Sequence, residues 1–211
     1  MGDYDELFTQ RHTAQYFPGV CVGIVTNTRD PDGLGRVKLR LPWLADGTET
    51  DWARIAVPMA GPQRGVFFPP EVDDEVLVAF EHGSSQRPYV VGALWNGVDK
   101  PPDANENGHN DIRMIRSRSG HVVRLTDTDG AEKIEVVDKS GKNSIVIDTA
   151  ANAVTVSAGQ DVTISAEGGT LTLKGSSVKI QAQTELSVQG ATAKVTADGE
   201  LVLKGSIVNI N

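Results

Sequence analysis

Short triplets, in which two apolar residues flank a middle residue, recur through the last third of the chain. They begin at Val154, Val162, Leu171, Val178, Leu186, Ala193, Leu201 and Val208, seven to nine residues apart. Because neighbouring strand residues point to opposite faces, the two outer residues of each triplet share one face. A strand this short does not bury its apolar stripe alone. The pattern therefore predicts stacked short β-strands.

A stricter repeat lies within this stretch. LTLKGSSVKI at Leu171 and LVLKGSIVNI at Leu201 are identical at seven of ten positions, and Gly175, Gly190 and Gly205 stand fifteen residues apart. A single-chain solenoid with three strands per coil needs a repeat of about 22 residues, which the triplets fit loosely. Fifteen residues make two strands and do not close a triangle within one chain. We therefore favour three identical chains wound around one axis, which leaves few free strand edges.

The composition of the chain agrees with a narrow prism. All eleven aromatic residues lie at or before Trp95, and all ten prolines lie at or before Pro102. A globular core normally uses aromatic side chains for volume, whereas a narrow prism admits only aliphatic ones. The predicted trimer core consists of the outer triplet residues: Val154, Val156, Val162, Ile164, Leu171, Leu173, Val178, Ile180, Leu186, Val188, Ala193, Val195, Leu201, Leu203, Val208 and Ile210.

The first hundred residues show a different β pattern. Alternating runs predict five strands, at 19–27, 36–43, 52–57, 75–80 and 89–95. The Asp32-Gly33 pair between the first two runs is typical of a hairpin turn. Five short strands separated by turns predict a small antiparallel barrel of the oligonucleotide/oligosaccharide-binding (OB) type.

Several longer segments carry a family resemblance. They are GRVKLRLPWL (35–44), DWARIAVPMAG (51–61), the run 65–97 that begins GVFFPPEVDDEVLVAF, and IRSRSGHVVRLTDTDGAEKIEV (115–136). These segments resemble the central spike of contractile injection systems, the family of phage baseplate assembly protein V and of the VgrG-type spike of type VI secretion. The resemblance covers about residues 18–211. It implies an OB barrel at the base, a neck, and a trimeric β-helix as the needle.

Together the pattern and the resemblance predict an all-β chain in five parts. They are an N-terminal arm (1–17), an OB domain (18–97), a linker (98–111), a neck with the start of the β-helix (112–150) and an intertwined trimeric β-helix needle (151–211). Neither a hub module nor a lysozyme-like domain is expected in this chain.

The resemblance also implies partners. A homotrimer would attach through its barrel end to a separate hub protein at the tip of the inner tube, and a PAAR-type cap protein would sit on the needle. The expected cap-binding tip is Ile207, Val208, Asn209, Ile210 and Asn211. The needle would contact the target membrane transiently while it pierces the cell envelope. Assembly in the cytoplasm, as part of a phage tail-like particle that is extracellular on release, is expected.

Composition and spacing favour a structural role over a chemical one. The net charge of −8 and pI near 5.0 argue against nucleic acid as a partner. The four histidines, His12, His82, His109 and His121, do not stand at metal-ligand spacing, and Cys21 is the only cysteine. No nucleophile–base or paired-carboxylate motif is apparent. We therefore expect no enzyme activity, no catalytic residues, no cofactor and no metal.

Two other functions and one basic cluster stay open at this point. A trimeric tail fibre that binds a receptor or a glycan is the alternative to the spike, and a nucleic-acid-binding barrel is a third possibility. Arg113, Arg116, Arg118 and Arg124 either contact acidic residues of a neighbouring subunit or form a solvated face.

Overall fold

The fold was analysed in a computed structural model that describes residues 17–44, 47 and 49–210. The expected N-terminal arm therefore lies outside the described residues except for Phe17, and the expected tip residue Asn211 also lies outside them. In the part of the chain that the structure describes, no helix has the length and apolar character that crossing a bilayer requires.

The described residues form two five-stranded sheets and a small hairpin, with a single 3-10 turn at Glu81–Gly83. The strands are β1 (Val20–Asn27), β2 (Lys38–Arg40), β3 (Arg54–Ile55), β4 (Ala60–Gly61), β5 (Arg64–Gly65), β6 (Glu75–Phe80), β7 (Pro88–Ala93), β8 (Ile112–Arg116), β9 (Val122–Thr126), β10 (Lys133–Val137), β11 (Ser144–Asp148) and β12 (Ala153–Ser157). The predicted all-β class is confirmed. Residues 98–111, expected as a linker, contain turns and bends but no strand.

The first sheet has the strand order β2-β1-β6-β7-β3 and forms an OB-like half-barrel. Of its four pairs of neighbouring strands, β1–β2, β1–β6 and β6–β7 are antiparallel, whereas β3 and β7 pair in parallel. The prediction of a purely antiparallel barrel is therefore wrong at this one pair. Parallel strands need a long connection between them, and the chain between Ile55 and Pro88 supplies it.

The core of the half-barrel follows from strand alternation. Along β6, Val76, Val78 and Phe80 are buried, while the residues between them are partly exposed. The full buried set is Val25, Val37, Leu39, Leu41, Ala53, Val76, Val78, Phe80 and Val90. Gly23 in β1 faces this core, where an added Cβ would lie 2.9 Å from a methyl group of Val78. A larger residue at this position would therefore overpack the sheet.

The loop between β1 and β2 is built around Asp30, whose side chain is only 3% exposed. Its carboxylate accepts hydrogen bonds from the Arg36 side chain at 2.7 and 2.9 Å and from the backbone N–H groups of Asp32, Leu34 and Arg36. Arg36, first among these donors, holds the pKa of the Asp30 carboxyl well below its usual range. The predicted turn at Asp32-Gly33 thus lies inside a longer loop that one carboxylate organises.

The second sheet has the order β12-β11-β10-β9-β8, in which each strand pairs antiparallel with its neighbour in sequence. The chain divides into two units, Met1–Gly159 and Gln160–Asn211. In the second unit the described residues contain no assigned strand, and all of them are exposed. The β-helix of the needle therefore stays a prediction.

Candidate functional site

The second sheet sets its two faces through an unbroken register. Each of its four strand pairs joins five residues directly, without a bulge. Residues that stand opposite each other in an antiparallel pair lie on the same face, as do residues two apart along one strand. The register alone therefore decides which side chains share a surface.

One face of this sheet is almost wholly aliphatic, and we call it the apolar face. It consists of Ile115, Val123, Leu125, Ile134, Val136, Ile145, Ile147, Val154 and Val156. Between 40% and 69% of each of these residues is exposed in the single chain. The one charged residue in these cross-strand rows is Arg113, opposite Leu125, and its guanidinium pairs with Asp127.

The opposite face of the sheet is mixed and charge-paired. Arg124 stands directly across from Glu135, and their side chains are 2.7 Å apart. Lys133 stands across from Asp148 at 3.9 Å. Cross-strand pairs of opposite charge suit a surface that meets water. The sheet is therefore amphipathic, with a solvent-compatible face and an apolar face.

The apolar face is an energetic burden on an isolated chain. Fully burying an aliphatic side chain stabilises a protein by roughly 1.5–3 kcal/mol, so covering the exposed half of nine of them represents on the order of 10 kcal/mol before association costs. Monomeric proteins rarely expose contiguous apolar patches of this kind, and a large exposed patch usually marks an interface. The apolar face is therefore suited to being buried against another protein surface.

At one end of the apolar face, where β8, β10 and β12 end, lies a concavity of about 430 Å³. Its rim includes the turn between β10 and β11, where Asp138 accepts hydrogen bonds from the Asn143 backbone N–H at 3.1 Å and from the Ser140 hydroxyl at 2.9 Å. These bonds, the Asn143 N–H first, lower the pKa of Asp138 to about 2. Nδ1 of His121 accepts a bond from the Lys139 backbone N–H at 3.2 Å, which ties the two turns together.

Of the predicted trimer-core residues, the structure brings Val154 and Val156 onto the apolar face, as part of β12. The remaining predicted core residues, and the tip residues Ile207, Val208, Asn209 and Ile210, are exposed in a stretch without assigned strands. Sequence reasoning missed the other seven residues of the apolar face. Six of them are aliphatic residues two positions apart on β9, β10 and β11, as Ile145 and Ile147 are in Ser-Ile-Val-Ile-Asp, and this spacing was the signal that could have found them.

The basic cluster of Arg113, Arg116, Arg118 and Arg124 is largely neutralised within its own chain. Arg118 contacts Glu71 at 2.6 Å, and Arg113 and Arg124 pair with Asp127 and Glu135. Among the described residues, Arg116 forms no ion pair. In the same part of the chain, no group of three His, Cys, Asp or Glu side chains is placed to hold a metal ion.

The half-barrel also carries aromatic side chains beside cations. Arg36 and Lys38 lie 5.9 and 5.6 Å from the ring centre of Trp52. Both cations already have carboxylate partners, Asp30 for Arg36 and Glu49 at 3.3 Å for Lys38. This surface is therefore charge-balanced, unlike the basic groove that single-stranded nucleic acid requires.

The half-barrel can now be compared with known proteins. Residues 21–95 match the family model described as the type VI secretion system/phage-baseplate injector OB domain. The half-barrel of this chain is therefore similar to that injector OB domain. The resemblance to baseplate protein V and VgrG spikes is thereby confirmed.

The chain is also similar to three type VI secretion system spike proteins of Pseudomonas aeruginosa. It is 27% identical to VgrG2a over 123 residues, 25% identical to VgrG1a over 137 residues, and 27% identical to VgrG1c over 117 residues. These matches cover 54%, 58% and 49% of this chain, but only 14%, 21% and 16% of the relatives. The chain thus spans a small part of the length of the spike proteins that it matches.

Proposed function

We propose that this chain is the central spike of a contractile injection system, a homotrimer that leads the inner tube and pierces the target cell envelope. The observation that carries the proposal is the nine-residue apolar face on a chain with an injector OB domain. Its role is mechanical rather than catalytic.

The apolar face favours other copies of the chain as its partners. Three copies arranged around one axis present three such faces to a common dry interior, and a closed ring leaves no copy with an uncovered face. Interfaces of permanent homo-oligomers are more apolar than the average surface, as this face is. Val154 and Val156, which begin the triplet repeat, already lie on it.

Beyond the sheet, the triplets from Val162 to Ile210 again place apolar residues two positions apart. We propose that they pair with triplets of the two other chains and form the β-helix needle, with the outer triplet residues as its core. In a single chain these residues are exposed, as expected for strands whose hydrogen-bond partners belong to other chains. The barrel end would attach to a separate hub protein, and residues 207–211 to a PAAR-type cap.

This assignment makes the spike a part of a phage tail-like particle. Particle assembly in the cytoplasm, release to the exterior and transient contact of the needle with the target membrane belong to the proposal. The five-part division of the chain into arm, OB domain, linker, neck and needle is likewise proposed, with the sheet β8–β12 as the neck.

A matched pair of substitutions on one strand tests the trimer. Val156→Asp in β12 places one carboxylate per copy on the apolar face, where a buried unpaired charge is costly. Trimer formation is therefore expected to be lost. Thr155→Asp adds the same charge at the next residue, which is also exposed and lies on the opposite face, and is expected to leave the trimer intact.

Light scattering coupled to size-exclusion chromatography measures the outcome for the full chain. A monomeric wild-type chain would overturn the trimer altogether. A normal trimer from Val156→Asp would show that the apolar face is not the interface.

A further inference from the structure

The loop that leads from the β4–β5 hairpin to β6 carries two aromatic side chains in an unusual setting. Phe67 is 79% exposed and Phe68 is 65% exposed, and Val72 beside them is half-exposed. A phenylalanine normally buries roughly 150 Å² or more on folding. These adjacent rings, followed by Pro69 and Pro70, therefore form an apolar patch outside the core of the half-barrel.

This patch forms one wall of a cleft of about 990 Å³ between the barrel and the neck. The barrel side contributes Phe67, Phe68 and Val72, and the other wall contains Ile115 and Arg116 of β8. The Arg118 guanidinium bonds to Glu71 at 2.6 Å across the cleft. That contact joins the loop to the turn after β8, so the cleft has a defined mouth.

The cleft is continuous with the apolar face of the second sheet. Ile115 and Ser117 line both the cleft and the 430 Å³ concavity on that face. A copy of the chain that covers Ile115 therefore also faces the cleft. Arg116, on the rim of the cleft, has no ion-pair partner among the described residues. A second copy of this chain, which has 28 acidic and 20 basic residues, supplies carboxylates that suit this cation.

We propose that Phe67 and Phe68 form a second zone of the subunit interface, in which the loop of one copy packs against a second copy of the same chain. The inference rests on the proposed homotrimer and adds a barrel contact to it. In this arrangement the aromatic loop fixes the barrel of each subunit at the base of the neck, where aliphatic residues alone give little directional packing.

A photo-crosslinking amino acid at the loop tests the contact directly. The full chain is produced with Phe67→p-benzoylphenylalanine, the trimer is purified, and it is irradiated and run under denaturing conditions. Chain-to-chain products are expected, with the crosslinked peptide identified by mass spectrometry. The control is Trp95→p-benzoylphenylalanine, an aromatic position of the barrel that is 69% exposed and does not line the cleft; it is expected to give none.

The outcomes separate this inference from the function on which it rests. If the full chain is a monomer, the proposed spike fails and the loop contact fails with it. If the chain is a trimer but position 67 gives no product, or only products within one chain, the trimer stands and the loop contact is wrong. Equal yields at positions 67 and 95 also overturn it.

Discussion

Single carboxylates shape two of the loops that hold these sheets in register. Asp30 accepts hydrogen bonds from backbone N–H groups and the Arg36 guanidinium between β1 and β2. Asp138 accepts them from the Asn143 backbone N–H and the Ser140 hydroxyl between β10 and β11. A carboxylate that accepts several hydrogen bonds in the folded state is easier to keep ionised there than in the unfolded chain. Both groups therefore connect loop geometry to pH.

Asp30 provides the first test at this scale. Its pKa in the folded chain lies well below the value of about 3.9 in an unfolded chain, so its contribution to stability is present above about pH 4 and is lost as the pH falls toward the folded pKa. Asp30→Asn is therefore expected to lower the melting temperature of the barrel at pH 7. The difference from wild type is expected to shrink below pH 4.

Tryptophan fluorescence measures this transition, because Trp43, Trp52 and Trp95 all lie in or beside the half-barrel. Asp32→Asn is the matched control, since Asp32 also bonds Arg36 but its side chain is 64% exposed. A smaller effect is expected for it. Equal effects of the two substitutions, or a difference that does not change with pH, would contradict the role assigned to Asp30.

At the scale of strands, the sequence predicts those elements whose partners lie nearby in the chain. β6 was expected at 75–80 and forms at Glu75–Phe80, because its apolar residues alternate regularly over six positions. The two-residue strands β4 and β5 were missed, since no alternation can show in so short a run. The parallel pairing of β3 with β7 depends on the closure of the half-barrel, which local pattern does not encode.

The second sheet and the triplets show why the candidate site was only partly predictable. β8 to β12 pair with their neighbours in sequence, so one chain satisfies their hydrogen bonds and displays the apolar face. The triplets from Val162 onward have no assigned partner within the described chain, although their spacing is as regular. The repeat placed Val154 and Val156 among the predicted trimer-core residues, but it did not show that they belong to β12 of the second sheet.

The proposed pairing of triplets between chains leads to a test at the scale of one strand. In the Leu186-Ser187-Val188 triplet, the pattern places Leu186 inward and Ser187 outward. Leu186→Asp is expected to block the needle and leave the triplets without ordered β-structure, since three carboxylates would meet near a dry axis. Ser187→Asp is expected to be nearly neutral.

Hydrogen exchange of the full chain reads out the ordered strands. Strong protection of 162–210 in wild type and Ser187→Asp, with loss in Leu186→Asp, is expected. Absence of protection in the wild-type chain would remove the β-helix, and equal protection in both variants would reverse or erase the inward assignment.

For the whole molecule, the two units are expected to contribute differently to stability. The unit Met1–Gly159 contains both sheets and the apolar face. It is therefore expected to fold within one chain and to associate through that face. In the unit Gln160–Asn211, the residues that the structure describes, 160–210, contain no assigned strand. If its strands pair only between chains, separating the subunits requires many layers to break together, and slow unfolding follows.

Truncation after Gly159, at the boundary between the two units, tests this division. The shortened chain is expected to remain a trimer through its apolar face but to unfold faster in denaturant. Because about 1.4 kcal/mol corresponds to a tenfold change, losing the burial of even one layer should raise the unfolding rate by at least about tenfold. Truncation after Glu200, which removes only the last two triplets, is expected to give an intermediate rate.

Unfolding followed by circular dichroism, with light scattering for the subunit count, measures both variants. An unchanged rate would show that the needle adds no kinetic stability, and a monomer after truncation at Gly159 would show that the apolar face is insufficient to hold three chains together.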